Sequence, residues 1–587
     1  MDTPTGRPDV AAYEVRALEA DLRAAVRGEV RFDAGSRGAY STDASNYRQL
    51  PIGVVLPADV DDVVAAVGAC RRHGAPIVNR GGGTSLAGQA TNAAVVLDTS
   101  KYLRRILELD PDRKLARVQP GVVLDELRDA AERHGLTFGP DPATHNRCTL
   151  GGMIGNDACG VHSLMAGRTA DNIDSLDVVC YDGTRMRVGA TTPEELEELI
   201  AAGGGRGAIY AQLEDLRDRW ADLIRERFPD IPRRVSGYNL DQLLPENGCN
   251  VARALVGTEG TCVTVLEATT RLVDSPPART LLVLGYPDVY RAGDHVPGIL
   301  EHGPLGLEGF DDALVGAMEK KRRHPRDRQL LPDGRGWLMV EFGGQDPDAS
   351  DAKARTLMDE LSKAGDPPSM KLFDDPDEER HLWSLRESGL GATARVPGQP
   401  DAWPGWEDSA VPPDRVGDYL RDLRGLLDRH GYRCSLYGHF GDGCVHVRID
   451  FDLRTVEGLR RYRAFVDQAA DLVVSYGGSL SGEHGDGQAR AELLDKMFGR
   501  ELVAAFREFK AIWDPGNNMN PGKVVDPHRI DEHLRLGTGY APDRPKTHFA
   551  FPDDDGDFSR ATLRCVGAGT CRRTDGGTMC PSYMVTL

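Results

Sequence analysis

The sequence predicts an α+β fold with two main domains and a C-terminal helical segment. Short apolar strands alternate with amphipathic helices along the 587 residues, which is typical of such folds. Three glycine-dense segments fall in the first half of the chain, and Ser275-Pro276-Pro277 interrupts the pattern as a domain boundary would. We therefore expect an N-terminal segment at 1–50, domains at 51–275 and 276–530, a linker at 531–560 and the start of a further unit at 561–587.

The first domain is predicted from a strand, helix and strand that follow one another. Val54-Val55-Leu56 is an apolar strand, and Asp59 is placed to cap the helix after it. Pro76-Ile77-Val78 begins another strand, which leads into a glycine-rich loop. Residues 191–250 are polar and mostly helical in pattern, like an insertion.

The second domain is predicted from strands near 281–284, 337–342 and 370–373, with a polar helix at 349–363. This alternation predicts a sheet with helices on one face, of the ferredoxin-like type. Residues 494–513 carry apolar side chains at helical spacing, which predicts a core-packing helix.

Charge and composition exclude several classes of partner. The formal net charge of −20 makes nucleic acid or an anionic membrane an unsuitable general partner, although a local cationic pocket can still bind a small anion. No apolar run reaches the ~18 residues of a spanning helix, and no secretory signal is visible. Eleven cysteines, odd in number and mostly scattered, indicate a reducing compartment. We expect a cytoplasmic protein, with peripheral membrane attachment as an alternative.

Two histidines flank an Asp-Gly pair in the stretch from Tyr437 to His446. If Asp442-Gly443 forms a two-residue hairpin turn, His439 lies directly opposite His446 on one face of the strands. Two imidazoles in that position can share a divalent metal, and Glu483 is a candidate third ligand. The alternative is a pair of packed, hydrogen-bonded histidines.

The glycine-dense segments predict a site for a long phosphate-containing ligand. The first runs from Arg80 to Gln89, the second from Thr149 to Gly160, and the third from Gly257 to Thr261. Successive glycines let backbone N–H groups converge on a pyrophosphate. The first loop is neither a P-loop nor a Rossmann turn, because it lacks the lysine motif and no clear helix follows it.

These loops resemble those of FAD-binding domains of the vanillyl-alcohol-oxidase type, in the branch that contains D-2-hydroxyacid dehydrogenases. The resemblance implies a cofactor site for FAD. Some relatives attach flavin to a histidine after the glycines, but this chain has Thr84 there, which implies non-covalent binding. The implied FAD-binding residues are Arg80, Gly81, Gly82, Gly83, Thr84, Ser85, Gly88 and Gln89 in the first loop, Thr149, Gly151, Gly152, Gly155, Asn156 and Gly160 in the second, Glu259 and Gly260 in the third, and Asn520 and Lys523 in the closing Asn-Pro-Gly-Lys motif.

The same resemblance extends through 276–530 and implies roles for five further residues. His439, His446 and Glu483 match metal ligands, with zinc the ordinary occupant and manganese or iron as alternatives. His484 matches the general base, and an imidazole with a pKa near neutrality suits that role. Arg386 matches a carboxylate anchor, because its guanidinium presents two donors in a plane.

Two departures from the family pattern bear on the substrate. Hydroxyglutarate enzymes place a lysine near the position that Trp406 occupies here, and this chain has no lysine there. Cys444 stands where the family commonly has asparagine. Both weaken the prediction of hydroxyglutarate specificity and leave the predicted oxidation chemistry unchanged.

The last cysteines form a separate group. Cys565, Cys571 and Cys580-Pro581 resemble the opening of an iron–sulfur domain fused to long bacterial relatives. Only three thiols are local and the usual C-x2-C-x2-C run is absent, so a [4Fe–4S] cluster is expected only in a longer protein. A zinc-binding or disordered tail is the alternative.

The sequence therefore predicts FAD-dependent, metal-assisted oxidation of a small anionic D-2-hydroxyacid. D-2-hydroxyglutarate is favoured over D-lactate and glycolate. Electrons are expected to pass to an iron–sulfur domain, a quinone or an electron-transfer protein. The alternatives are an oxidase that uses oxygen and a flavin electron-transfer or sensor module without turnover.

Overall fold

The computed structural model describes residues 12–321, 327–387 and 389–572. The described residues form three larger sheets, which follow one another along the sequence, and one two-stranded sheet. No helix in the described ranges is both long enough and apolar enough to cross a bilayer.

The first sheet forms the N-terminal layer of the structure. Its strands lie in the order Glu29–Arg31, Gly53–Leu56, Val95–Asp98 and Ile77–Arg80. The last three are parallel, as a strand–helix–strand unit requires. Asp59 caps the helix Val60–Arg72 by accepting a hydrogen bond from the Asp62 N–H, as predicted. Further helices are Ala12–Ala25 and Ala34–Ala39.

The second sheet is antiparallel and carries the middle of the first domain. Its strands lie in the order Ile106–Asp110, Leu115–Val118, Thr264–Arg271, Ile173–Val179 and Arg185–Gly189. The strands Leu136–Thr137 and Val273–Asp274 form a small separate pair. The helices of this region are Leu124–Glu132, Leu150–Asn156, Ser163–Ala166, Pro193–Ala202, Gly204–Arg227 and Val251–Leu255.

The second glycine-dense segment is largely helical, although the sequence predicted a loop. Thr149 caps the helix Leu150–Asn156 by accepting from the Gly152 N–H, and Asp157 ends it with a positive φ of 57°. Met153 and Ile154 are buried residues of this helix. Burial at this helical spacing outweighs the unfavourable helix propensity of the glycines.

The third sheet has seven antiparallel strands and forms the second domain. Their order is Ser369–Phe373, Ala278–Tyr286, Gly336–Gly344, Gly306–Asp311, Cys434–Gly438, Cys444–Ile449 and Ser409–Ala410. Helices cover both faces, not one as predicted. Alternate residues of Ala278–Tyr286 explain this, because Leu282 and Leu284 pack into one apolar cluster while Leu281 and Val283 pack into another.

The helices of the second domain and the C-terminal part complete the fold. They are Val289–Asp294, Val296–Leu300, Asp312–Lys320, Pro347–Leu361, Pro376–Glu387, Gly389–Ala394, Val416–His430, Val456–Ser475, Leu494–Trp513 and Phe558–Thr562. The predicted apolar helix at 494–513 is present, with a break at Gly499, whose φ is 72°.

Candidate active site

The two histidines of the predicted hairpin lie together, but the predicted register is wrong. Tyr437, not His439, pairs with His446. The strands are joined by a 3-10 turn at Phe440–Asp442, and the Cys444 N–H donates to the His439 carbonyl at 3.0 Å. The turn is longer because its residues have partners elsewhere. The Phe440 ring lies against Gly309, where a Cβ would be 2.1 Å from it, and Asp442 is buried against the first domain.

Three imidazoles nevertheless converge on one carboxylate. The Nε2 atoms of His439, His446 and His484 each lie 3.3 Å from Oε1 of Glu483. The ring centroids of His439 and His446 are 5.0 Å apart. This arrangement brings the predicted ligands and the predicted base to one point.

The Nδ1 atoms of the two predicted ligand histidines have hydrogen-bond partners that orient the rings. Nδ1 of His439 lies 2.6 Å from Oε1 of Glu308, and Nδ1 of His446 lies 2.8 Å from the Glu407 carbonyl. Both partners accept, so these Nδ1 atoms donate and the Nε2 atoms face Glu483. This is the orientation that a metal-bound imidazole needs.

Glu483 has one oxygen in contact with the protein and one at the centre of the imidazoles. Its Oε2 accepts from Arg233 Nη1 at 3.0 Å and from the Gly160 N–H at 3.1 Å. Burial raises the Glu483 pKa, but the facing His439, His446 and His484 hold it well below its ordinary value. The ionised carboxylate and two imidazoles fit a divalent ion of the zinc type.

Asp408 also lies near these groups, but its contacts make it a support for the loop. Asp408, His446, Glu483 and His484 have ligand-type atoms within 4.8 Å of one another. The Asp408 carboxylate accepts from the Ser481 hydroxyl and from the N–H groups of residues 482–484. These bonds all end on Oδ2 and tie Asp408 to the loop. A metal site made of His439, His446 and Glu483 stays a prediction.

The pKa of His484 differs from the near-neutral value expected of a base. Burial lowers it, but Asp408, Glu407 and Glu483 raise it to about 10. A metal cation bound among the same carboxylates would lower the His484 pKa. The base function predicted for His484 therefore depends on the charge held beside it.

One elongated cavity joins these groups to the glycine loops. Its walls include the predicted metal ligands, the predicted base His484, and also Arg386 and Tyr437. Most predicted FAD residues also line it, namely Arg80, Gly81, Gly82, Gly83, Thr84, Ser85, Gln89, Thr149, Gly151, Gly152, Gly155, Asn156, Glu259 and Gly260. A long ligand in the cavity would therefore reach the imidazoles.

Close backbone approach explains the glycines of the first loop. A Cβ on Gly81 would lie 2.0 Å from Oγ1 of Thr149, and one on Gly82 would lie 2.7 Å from the Arg147 carbonyl. Gly83 has a φ of +67°. The first loop thus packs on the second so tightly that side chains are excluded.

Four predicted FAD residues lie behind the cavity wall. Gly88 packs on the Tyr47 ring, and Gly160 donates to Glu483. Asn520 donates from Nδ2 to the carbonyls of Gln89 and Glu259. Lys523 is buried beside two glutamines, and burial lowers its pKa to about 8. These residues support the cavity wall, and their cofactor contacts remain predictions.

Three other predicted FAD residues hold the loop that carries the base. Gln89 Nε2 donates to the His484 carbonyl at 2.7 Å, and Asn156 Nδ2 donates to it at 3.3 Å. The Glu259 carboxylate accepts from the N–H groups of Asp486 and Gly487. The flavin-type loops and the loop of Glu483 and His484 are thus one hydrogen-bonded unit.

Arg386, the predicted carboxylate anchor, is buried at the cavity. Its Nη2 pairs with Oε2 of Glu308 at 2.6 Å, and its guanidinium lies 5.1 Å from the centre of the Tyr437 ring. Glu308 therefore bridges the anchor to His439. Nε of Arg386 has no hydrogen-bond partner among the residues described, which leaves a donor for a ligand.

Several site residues were not predicted from the sequence. Arg233 and Glu308 come from distant segments, and no local pattern marks them. Arg448 is two residues after His446 in the same strand, so strand alternation could have placed it on the same face. It is buried, and its Nε and Nη2 lack hydrogen-bond partners in the described part of the chain. Tyr437 interacts electrostatically with both Arg448 and Arg386.

The predicted iron–sulfur cysteines are only partly described. Cys565 and Cys571 are free and exposed. Cys580 lies outside the described residues, so the cluster stays a prediction.

Solved structures with the same architecture include an oxidase and a methylhydroxylase by name. A 4-ethylphenol oxidase from Gulosibacter chungangensis matches 89% of this chain and 99% of its own, with a TM-score of 0.62 and 15% identity. A p-cresol methylhydroxylase matches 88% and 98%, with a TM-score of 0.61 and 16% identity. The predicted vanillyl-alcohol-oxidase-type fold is confirmed.

Sequence comparison identifies the family. Residues 51–189 match the family described as FAD binding domain, and residues 275–524 match FAD linked oxidases, C-terminal domain. The chain belongs to the FAD-linked oxidases, a family of flavin-dependent oxidoreductases.

Curated relatives include two dehydrogenases of D-hydroxyacids and a glycolate oxidase subunit by name. A D-2-hydroxyglutarate dehydrogenase of Pseudomonas putida is 32% identical over 97% of this chain and 58% of its own length. A glycolate oxidase subunit of Escherichia coli is 28% identical (85% and 89%), and a D-lactate dehydrogenase of Archaeoglobus fulgidus is 29% identical (80% and 91%). The chain spans just over half the length of the hydroxyglutarate dehydrogenases it matches.

Proposed function

We propose that this protein oxidises a D-2-hydroxyacid to the 2-oxoacid with FAD and a divalent metal, and that the substrate is a dicarboxylate of the 2-hydroxyglutarate kind. The observation that supports the chemistry is the convergence of His439, His446 and His484 on Glu483 at the wall of the flavin-type cavity. An open site of this composition is the kind used to polarise a hydroxyl group.

The reaction removes a hydride and a proton from the substrate. FAD would supply the hydride acceptor, and His439, His446 and Glu483 would hold a divalent ion whose charge would lower the pKa of the substrate hydroxyl. Arg386 holds the substrate carboxylate through its free Nε donor and its planar guanidinium. His484 receives the hydroxyl proton on Nε2, while Asp408 and Gln89 hold its backbone in place.

Two buried guanidiniums support a dicarboxylate substrate. The Arg386 guanidinium lies 5.1 Å from the centre of the Tyr437 ring, and that ring is tilted against the His446 ring with centroids 5.6 Å apart. Arg448 is not among the residues that line the cavity, but it is buried with Nε and Nη2 unpaired in the described chain, and burying a cation without an anion is costly. On this proposal Arg448 takes the second carboxylate, although the lysine of hydroxyglutarate enzymes is absent.

The experiment is an anaerobic screen for bleaching of the flavin absorbance. D-2-hydroxyglutarate is expected to bleach the flavin quickly, D-lactate and glycolate slowly, and the L-acids not at all. No bleaching by any 2-hydroxyacid, with FAD and metal both bound, would support a non-catalytic flavin module instead.

Reoxidation of the reduced flavin is tested in a separate experiment. We propose that electrons pass to an acceptor other than oxygen, as the dehydrogenase relatives' names suggest. Reduced protein mixed with aerated buffer should therefore reoxidise slowly in stopped flow. Rapid reoxidation would favour the oxidase alternative.

A further inference from the structure

The C-terminal segment at residues 563–572 contacts the first glycine loop. Nη1 of Arg572 donates to the carbonyl of Gly82 at 2.8 Å and to that of Gly81 at 3.4 Å. Nη2 donates to the Ser100 hydroxyl at 2.9 Å. One guanidinium thus contacts two successive peptide units of the loop.

Further contacts fix the path of this segment. Gly567 has a φ of +74°, and a Cβ there would lie 2.7 Å from the Asp43 carbonyl and 2.8 Å from Cα of Ala44. Arg147, beside the second flavin-type loop, donates from Nε to the Ala568 carbonyl at 2.5 Å. The segment is therefore docked between residues 43–44 of the N-terminal segment and Arg147 of the first domain before it reaches Arg572.

Peptide geometry links Arg572 to the opposite side of the loop. In a trans peptide the carbonyl and the N–H of the next residue point in opposite directions. The carbonyl of Gly81 shares its peptide unit with the Gly82 N–H, and the carbonyl of Gly82 shares its unit with the Gly83 N–H. Because Arg572 holds both carbonyls, both N–H groups are turned away from it, and all three glycines line the cavity.

We propose that Arg572 is a cofactor-positioning residue, which acts from the C-terminal segment to hold the Gly82 and Gly83 N–H groups ready for the FAD diphosphate. Backbone donors fixed in advance bind an anion with less ordering cost than a mobile glycine loop. The inference rests on the proposed FAD site. It adds a cofactor role for a residue that lies outside both matched domains.

Because the two equilibria are linked, FAD binding and docking of the C-terminal segment affect each other equally. If docking of 563–572 favours FAD binding, bound FAD favours docking of the segment by the same factor. The C-terminal segment then responds to whether the cavity is filled.

The first test measures ligand affinity in the full chain stripped of flavin. FAD, ADP and riboflavin are titrated into wild type, Arg572→Ala, Arg572→Lys and the control Arg564→Ala. Arg564 belongs to the same segment but pairs with Asp554. Arg572→Ala should raise the Kd for FAD and ADP roughly tenfold and leave riboflavin unchanged, because riboflavin has no phosphate. Lysine should give an intermediate loss, and Arg564→Ala a change under twofold.

Unchanged Kd values for FAD and ADP in Arg572→Ala would overturn the inference. An equal loss for all three ligands would also overturn it, since that pattern indicates general distortion. A second measurement does not depend on the variants: in wild type, FAD should slow amide exchange in peptides covering 563–572, and unchanged exchange would contradict the coupling. Failure of wild type to bind FAD would instead overturn the proposed function.

Discussion

Glu308 is the residue whose replacement tests the site most sharply. Its carboxylate is fully buried, accepts from Nδ1 of His439 at 2.6 Å and pairs with Arg386 at 2.6 Å. Glu308→Gln keeps the shape but removes the charge that both partners face. Loss of such an outer carboxylate typically lowers metal affinity or activity about 10–100-fold. We expect that loss in metal affinity and in kcat/KM, together with a higher KM because Arg386 loses its fixed partner.

Glu341 provides a matched control on the neighbouring strand. It is also buried, and it pairs with His162 and Arg279 at 2.7 and 3.0 Å, away from Glu483. Removing one partner of a buried ion pair costs about 3–5 kcal/mol. Glu308→Gln and the control Glu341→Gln should therefore both lower the melting temperature. Only Glu308→Gln should lose metal, measured by titration of metal-free protein and by steady-state kinetics. Equal metal affinity in the two variants would refute the reasoning.

Three further predictions concern other parts of the structure. Arg448→Ala should raise KM for D-2-hydroxyglutarate about 10–100-fold, the loss expected when a charge-assisted contact is removed, with little change for D-lactate; an equal effect on both substrates would remove its role in specificity. Gly81→Ala should abolish FAD retention on gel filtration, since its Cβ would lie 2.0 Å from Thr149, whereas Gly316→Ala has nothing within 4 Å and should retain FAD. For His162, burial lowers the pKa but Asp141 and Glu341 raise it to about 10. Its protonated form therefore stabilises the fold fully below about pH 6.5, and this contribution is lost as the pH rises through about 10. The melting temperature of wild type should accordingly fall more between pH 7 and pH 10 than that of His162→Gln, and equal falls would count against the pairing.

Local sequence patterns predicted those helices and strands in which the buried residues recur at the spacing of a helix or a strand. The Asp59 cap, the strands of both domains and the apolar helix at 494–513 are of this kind. The helix Leu150–Asn156 was missed although its signal was present, because Leu150, Met153 and Ile154 have helical spacing. Its glycines directed the interpretation toward a loop.

The features that were not predicted depend on contacts between residues far apart in the sequence. The turn after Gly438 could not be predicted from Asp442-Gly443 alone, since Asp442 is paired with Arg233, more than 200 residues away in the chain. Glu308 lies 131 residues before His439 and Arg233 lies 250 residues before Glu483, and a single sequence gives no sign of either contact. The family resemblance indicated His439, His446, Glu483 and His484 because it carries such non-local information.

The central claim is that His439, His446 and Glu483 hold one divalent ion beside the flavin. Anomalous diffraction at the zinc edge, from crystals of the zinc-loaded protein, tests it most directly. We expect one strong peak within about 2.0–2.2 Å of the two Nε2 atoms and the Glu483 carboxylate, and its loss in His439→Ala. A fully active protein with no peak there, or with its only peak elsewhere, would contradict the claim.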